Sequence, residues 1–127
     1  MTTEKLTAFE KQKYLNLETF RKNGEGVKTP VWFMRCGDIL YVRTADNSAK
    51  IKRIRRNSTV RIAPCTGSGR PLGEWIEAKA EITQDVERNK EADQLANKKY
   101  GLIKRVFELM GGLNKRWAYT TLIIRLN

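Results

Sequence analysis

Short segments in which residue character alternates at every second position recur along this chain, and turn-forming residues separate them. Only an extended strand presents alternate residues to opposite faces, so this pattern constrains the fold more than any other feature. Leu15, Leu17 and Thr19 alternate with Asn16 and Glu18. Asn23-Gly24, extended to Asn23-Gly24-Glu25-Gly26, is a hairpin signal. Val27, Thr29, Val31 and Phe33 then alternate with Lys28, Pro30, Trp32 and Met34, which predicts a second strand over 27–34. Pro30 has no N–H to give a ladder, so its position faces an edge, a bulge or a ligand. Cys36-Gly37-Asp38 is a turn, and 39–44 is a β-branched and aromatic run. A fourth strand over 59–63 ends at Pro64, and a glycine-containing loop follows over 66–73. A fifth strand runs from Trp75 to Ile82 and a sixth from Trp117 to Leu126.

Helical signals lie between the strands. Leu6, Phe9 and Lys13 form a thin stripe over 5–14, with Thr2 or Thr3 as cap. Ser48 is placed to cap a short helix over 49–56 that Asn57 stops. A longer helical segment over 86–110 is broken near Gly101 and ended by Gly111-Gly112. The sum is one domain over 1–127, mainly β (α+β), with six short antiparallel strands closed or half-closed into a barrel. The joins within 15–34 and 59–82 are too short for a parallel crossover. Trp75 and Ile123 place apolar side chains on the outer side of their strands, which points to a covered outer face, as in a homodimer.

Composition removes several chemistries. There is no histidine, so Ser-His and Cys-His nucleophiles are absent, as is the commonest metal ligand. Cys36 and Cys65 cannot build a zinc site alone and read as small buried apolar residues. No apolar run approaches the ~20 residues of a membrane helix. Residues 1–5 lack a signal-peptide pattern, so a cytoplasmic location is expected. Net charge is +11, which suits an anionic ligand and also aids solubility.

The most informative stretch is Thr44-Ala45-Asp46-Asn47-Ser48-Ala49-Lys50. It reads as a strand end, a polar loop and a helix start, and helix starts attract phosphate. Lys52, Arg53, Arg55 and Arg56 raise the local potential. The residues alone also fit a capped surface helix with solvated cations. A nucleic-acid-binding module is the more distant reading: the cations fall around the whole helical circumference rather than on one face, and no RNP-like pattern accompanies them.

The stretch resembles the split-barrel superfamily that includes pyridoxamine 5′-phosphate oxidase, in which a strand ends in Thr and a Ser-x-Lys follows four residues later. The match is closer to the F420 (deazaflavin)-dependent and FMN-binding branch. It runs through Lys22-Asn23-Gly24, Thr29 to Phe33, Leu40 to Thr44, Ser48 to Asn57, Val60 to Cys65, Gly73 to Ala80 and Lys99-Tyr100-Gly101. The resemblance implies an FMN-binding type of split barrel and a homodimer with F420 or FMN at its interface. It also implies an oxidoreductase that moves hydride to or from a small-molecule redox substrate. Thr29, Pro30, Val31 and Trp32 would line the ring; Arg43 and Thr44 would stand by the phosphate and ribityl chain. Ser48 and Lys50 would hold the phosphate, Lys52 and Arg55 or Arg56 would reach a polyanionic tail, and Trp75 would approach from the other subunit. A pyridoxamine-phosphate-oxidase-related protein and a non-catalytic cofactor carrier are the alternatives. The chain departs from the oxidase itself, because Thr29 to Met34 lacks the two basic residues of the oxidase's second-strand run. No acid or base is assigned from the sequence.

Overall fold

The computed structural model describes residues 2–109 and 119–127. Asn23-Gly24 turns the chain between β1 (Tyr14–Phe20) and β2 (Gly26–Trp32) as the dipeptide requires. Gly24 adopts φ 89° and the Asn23 side chain accepts the Glu25 N–H at 2.9 Å. Beyond β2 lie β3 (Met34–Cys36), β4 (Ile39–Ala45), β5 (Thr59–Cys65), β6 (Ile76–Thr83) and β7 (Tyr119–Leu126). They form one antiparallel sheet in the order β2-β1-β5-β6-β7-β4-β3. The two outermost strands, β2 and β3, are consecutive in the chain and separated only by Phe33. One residue therefore joins both ends of the sheet, which must roll up to allow it. The result is a mainly antiparallel split barrel.

Alternation fills the interior. Leu15, Leu17, Val42, Ile62, Leu122 and Ile124 point inward and are buried. α1 (Thr2–Thr7) and the turn after it add Leu6 and Phe9; α2 (Ala49–Arg56) adds Ile51 and Ile54. Outside the barrel, α3 (Val86–Leu109) covers β3, β4 and β7. Ala92, Ala96 and Tyr100 of α3 meet Met34, Tyr41 and Ile123 of the sheet. The small alanines, four apart on one helix face, let the helix approach closely.

The structure departs from the sequence reading in several places. There are seven strands rather than six, because the expected strand over 27–34 breaks at Phe33. The Phe33 N–H donates to the Tyr100 hydroxyl at 3.0 Å instead of to a neighbouring strand. Its carbonyl accepts the Lys99 ammonium at 2.9 Å. Pro64 sits inside β5 rather than ending it, paired with Leu15 on β1. β6 pairs with β5 only over Thr59 to Ile62, so the missing Pro64 N–H faces no ladder on that side.

The first helix ends at Thr7, not near Tyr14. Shorter-range bonds follow, Phe9 N–H to Leu6 O and Glu10 N–H to Thr7 O, and Lys11 at φ 64° turns the chain. Trp75 precedes β6 rather than opening it. The outer side of Ile123 is covered by α3 of its own chain, so its apolar character needs no second subunit. Cys65 is buried, but Cys36 is half-buried, with its thiol 3.5 Å from Glu91 Oε1. The kink at Gly101 is present, with φ 36° and ψ −108°. Thr2 and Thr3, expected as the cap, lie within α1 itself, and the helix end at Gly111-Gly112 and the strand start at Trp117 lie outside the described residues.

Tyr100 is the group most exposed to test. Its hydroxyl accepts from Phe33 N–H and lies 2.7 Å from Lys13 O and 2.9 Å from Phe33 O, so its one proton serves two carbonyls. Tyr100→Phe leaves these buried groups unpaired and should cost about 2 kcal/mol by urea denaturation. Lys99 supplies a pH dependence, since burial pushes its ammonium down to about 8. The unfolded chain then holds a proton that the folded chain has released, so stability rises as pH climbs from about 8 towards the usual lysine range. Burial raises Tyr100, which makes stability fall again at pH above the ordinary tyrosine value. Urea midpoints between pH 7.5 and 9.5 should climb less in Lys99→Met than in the parent chain.

Candidate functional site

β4 ends at Ala45, and the loop after it turns the chain into α2. The Ser48 N–H donates to Ala45 O at 3.0 Å, which fixes that turn. Ser48 is the N-cap in extended geometry, φ −68° and ψ 155°, and its Oγ accepts the Ile51 N–H at 3.4 Å. Thr44 Oγ1 donates to Ser48 Oγ at 3.3 Å. The first N–H groups of the helix, at Ala49 and Lys50, have no intrahelical acceptor. No acidic residue occupies the first turn. Buried Ile51 and Ile54 anchor α2 in the barrel core, so this end of the helix is held on a rigid support.

The cations of α2 divide by partner. Arg53 Nε donates to Thr19 Oγ1 at 2.6 Å, and Arg56 Nη2 to Phe20 O at 3.3 Å, so both tie the helix to β1. Lys52 and Arg55 are exposed. Lys50 is half-buried, and burial, with Arg53 nearby, pushes its ammonium below the ordinary lysine range. An anion beside Lys50 would reverse that cost. Two buried polar atoms, Thr29 Oγ1 on β2 and Asp46 Oδ1 in the loop before α2, make no hydrogen bond among the described residues.

Thr44, Ser48 and Lys50 thus gather at one helix start. The other sequence-expected residues are elsewhere. Arg43 points to the opposite face from Thr44, as alternate strand positions must, and its Nη1 donates to Asp93 of α3 at 2.8 Å. On β2, Thr29 and Val31 lie on the core side, opposite Leu17 and Leu15. Pro30 and Trp32 lie on the outer side. Pro30 stands opposite Asn16, whose amide donates to Gly69 O at 2.6 Å. Trp32 stacks on Tyr100, with centroids 4.3 Å apart and planes 7° apart. Trp75 is half-buried beneath two cations of its own chain, Lys28 Nζ at 5.1 Å and Arg61 Cζ at 5.7 Å from the ring.

That last cluster was not expected from sequence. Lys28, Glu18 and Arg61 are opposite one another across β2, β1 and β5. The Glu18 carboxylate is 4% exposed and accepts Arg61 Nε at 2.6 Å. The signal was available: the hairpin at Asn23-Gly24 sets the Glu18–Lys28 register. The pairing with Arg61, however, requires β5 to lie beside β1. Tyr41 on β4 is structural. Its hydroxyl donates to Glu91 Oε1 at 2.5 Å and accepts Arg88 Nη1 at 2.7 Å, docking α3.

The α2 start suits a phosphate-bearing ligand and is flanked by further cations. Among the described residues, no helix is long and apolar enough to cross a membrane. No protein-family model and no curated protein matches the sequence. Solved structures do match in shape. A candidate pyridoxamine 5′-phosphate oxidase from Listeria innocua is 14% identical, with TM-score 0.70 over 99% of this chain and 93% of that one. An F420 reductase is 18% identical, with TM-score 0.63 over 96% of this chain and 92% of that one. An FAD-binding protein from Mesorhizobium loti is 14% identical, with TM-score 0.64 over 100% of this chain and 88% of that one. At these identities the likeness carries the fold: this chain is a split β-barrel of the kind found in pyridoxamine 5′-phosphate oxidase-like structures.

Proposed function

We propose that the chain is an oxidoreductase that binds a flavin-type cofactor, F420 or FMN, by its phosphate at the start of α2. One observation carries the reading. The Ser48 cap hydroxyl, bonded by Thr44, the unpaired helix N–H groups and a half-buried lysine all belong to the start of α2, and no acid stands in its first turn. That donor set matches a phosphate dianion or diester. Ser48 and Lys50 hold the phosphate, and Thr44 orients Ser48. Exposed Lys52 and Arg55 offer charge to a polyanionic tail, which suits F420 in particular.

The unsatisfied Thr29 hydroxyl fits a ligand polar group, and Pro30 and Val31 supply apolar edge surface. Trp32 and Arg43 contribute through α3, which they hold in place, rather than by direct contact. Trp75, with Lys28 and Arg61 over its ring, presents a cationic aromatic surface that a second subunit would bring to the cofactor. The protein on this reading is a homodimer. Bound at this place, a flavin or deazaflavin ring supplies hydride transfer to or from a small organic substrate. The Arg53 guanidinium is committed to Thr19 of its own chain, which favours a small-molecule anion over nucleic acid.

Titration of the protein with FMN and with F420 at matched salt, read by fluorescence, should show saturable binding of one of them. Lys50→Gln should weaken that binding by roughly ten- to a hundredfold, the worth of a charge-assisted hydrogen bond of about 1.5–3 kcal/mol. Thermal melts should show a smaller effect of the substitution on the apo protein. Equal affinity in Lys50→Gln and parent protein would rule out the phosphate site. Sedimentation at micromolar concentration should give a dimer. Binding without turnover of any reduced or oxidised cofactor would make the protein a carrier rather than an enzyme.

A further inference from the structure

A cavity of about 410 Å³ opens beside the Phe33 bend, away from the start of α2. Its apolar lining comes from Phe9, Phe33, Met34 and Leu95. Phe9 and Phe33 meet edge to face, with centroids 5.8 Å apart, and form an aromatic wall. Lys11 and Lys98 bring positive charge to the rim, and Arg35 adds more, with Glu10 as its partner at 3.1 Å. Lys11 stands there at φ 64°, a conformation costly for any residue with a β-carbon.

Lys99 reaches this wall. Its Nζ lies 3.4 Å from the Phe33 ring centroid and donates to Phe33 O. Among the described residues no carboxylate pairs with it. The amine is thus held at a fixed point of an apolar, cation-rimmed cavity. A volume of this size accepts a substituted benzene ring. We propose that this cavity is a covalent capture site for small aromatic aldehydes bearing an anionic group, with Lys99 forming an imine to the aldehyde carbon.

The chemistry needs no further reactant. The Lys99 nitrogen lone pair attacks the carbonyl carbon, the carbonyl oxygen is protonated and leaves as water, and a C=N bond replaces C=O. Nothing is oxidised or reduced, and the step reverses by hydrolysis. The protonated imine keeps one N–H, enough to retain the bond to Phe33 O. The rim cations hold the anionic substituent, and the aromatic wall holds the ring. Burial pushes Lys99 down to about 8, so more of it is the neutral nucleophile near neutral pH than for a solvated lysine.

The test uses the intact protein with 4-formylbenzoate and cyanoborohydride, which reduces the imine to a stable secondary amine. Labelled peptides are then mapped by mass spectrometry. Lys99 should carry label on the order of tenfold above the average of the other lysines. Benzoate should protect it, and neutral benzaldehyde should label it several-fold less. Lys99→Arg keeps a cation and a donor to Phe33 O; with unchanged circular dichroism it should lose the selective label. Labelling spread evenly over the lysines, centred on Lys50, or equal at Lys99 for benzaldehyde and 4-formylbenzoate would overturn the proposal.

Discussion

A strand that leaves one end of a sheet and joins the other must pass through a residue whose backbone no ladder can satisfy. In this protein that residue is Phe33, and Tyr100 and Lys99 provide its hydrogen bonds. The barrel depends on this solution. Without it, a buried N–H and carbonyl would stand unpaired at the point where the sheet closes. The same bonds dock α3, because Tyr100 and Lys99 are neighbours on that helix. Trp32 and Phe33 then pack against the two side chains, the first by stacking on Tyr100 and the second beneath the Lys99 ammonium. Sheet closure and helix docking are therefore one event, linked through residues 66 and 67 positions apart in the chain.

Closure has a second consequence. It makes a rigid interior into which α2 sets Ile51 and Ile54, so the start of that helix is fixed to the barrel. The bonds from Arg53 to Thr19 and from Arg56 to Phe20 secure its other end. What remains for a ligand is the Thr44–Ser48 pair, the opening N–H groups and Lys50. On the proposed reading, a phosphate would meet a backbone frame that the barrel already holds in place, so little ordering would be left to binding. Arg43 illustrates the opposite outcome. It neighbours Thr44 in sequence, but strand alternation turns it to α3 and Asp93, where it serves the fold.

The sequence by itself determined the strand-rich class, the Asn23-Gly24 hairpin, the Ser48 cap and the Gly101 kink. Each depends on local chemistry: side-chain alternation, a turn that tolerates positive φ, a hydroxyl that accepts a helix N–H, and a residue without a β-carbon. It also made the gathering of Thr44, Ser48 and Lys50 legible, because all three lie within seven residues of one strand-to-helix transition.

Tertiary structure alone decided what depended on distant partners. The alternation from Val27 to Met34 is unbroken, so nothing local marks Phe33 as a bend; Tyr100 and Lys99 create it from far along the chain. Ile123 reads as part of an outer face covered by a second subunit until α3 of the same chain proves to cover it. Pro64 reads as a strand end until β6 proves to pair only with the first part of β5. The Lys28–Glu18–Arg61 row around Trp75 required three strands to align. Local pattern specifies which face a side chain takes, but only the closed sheet specifies what stands opposite that face.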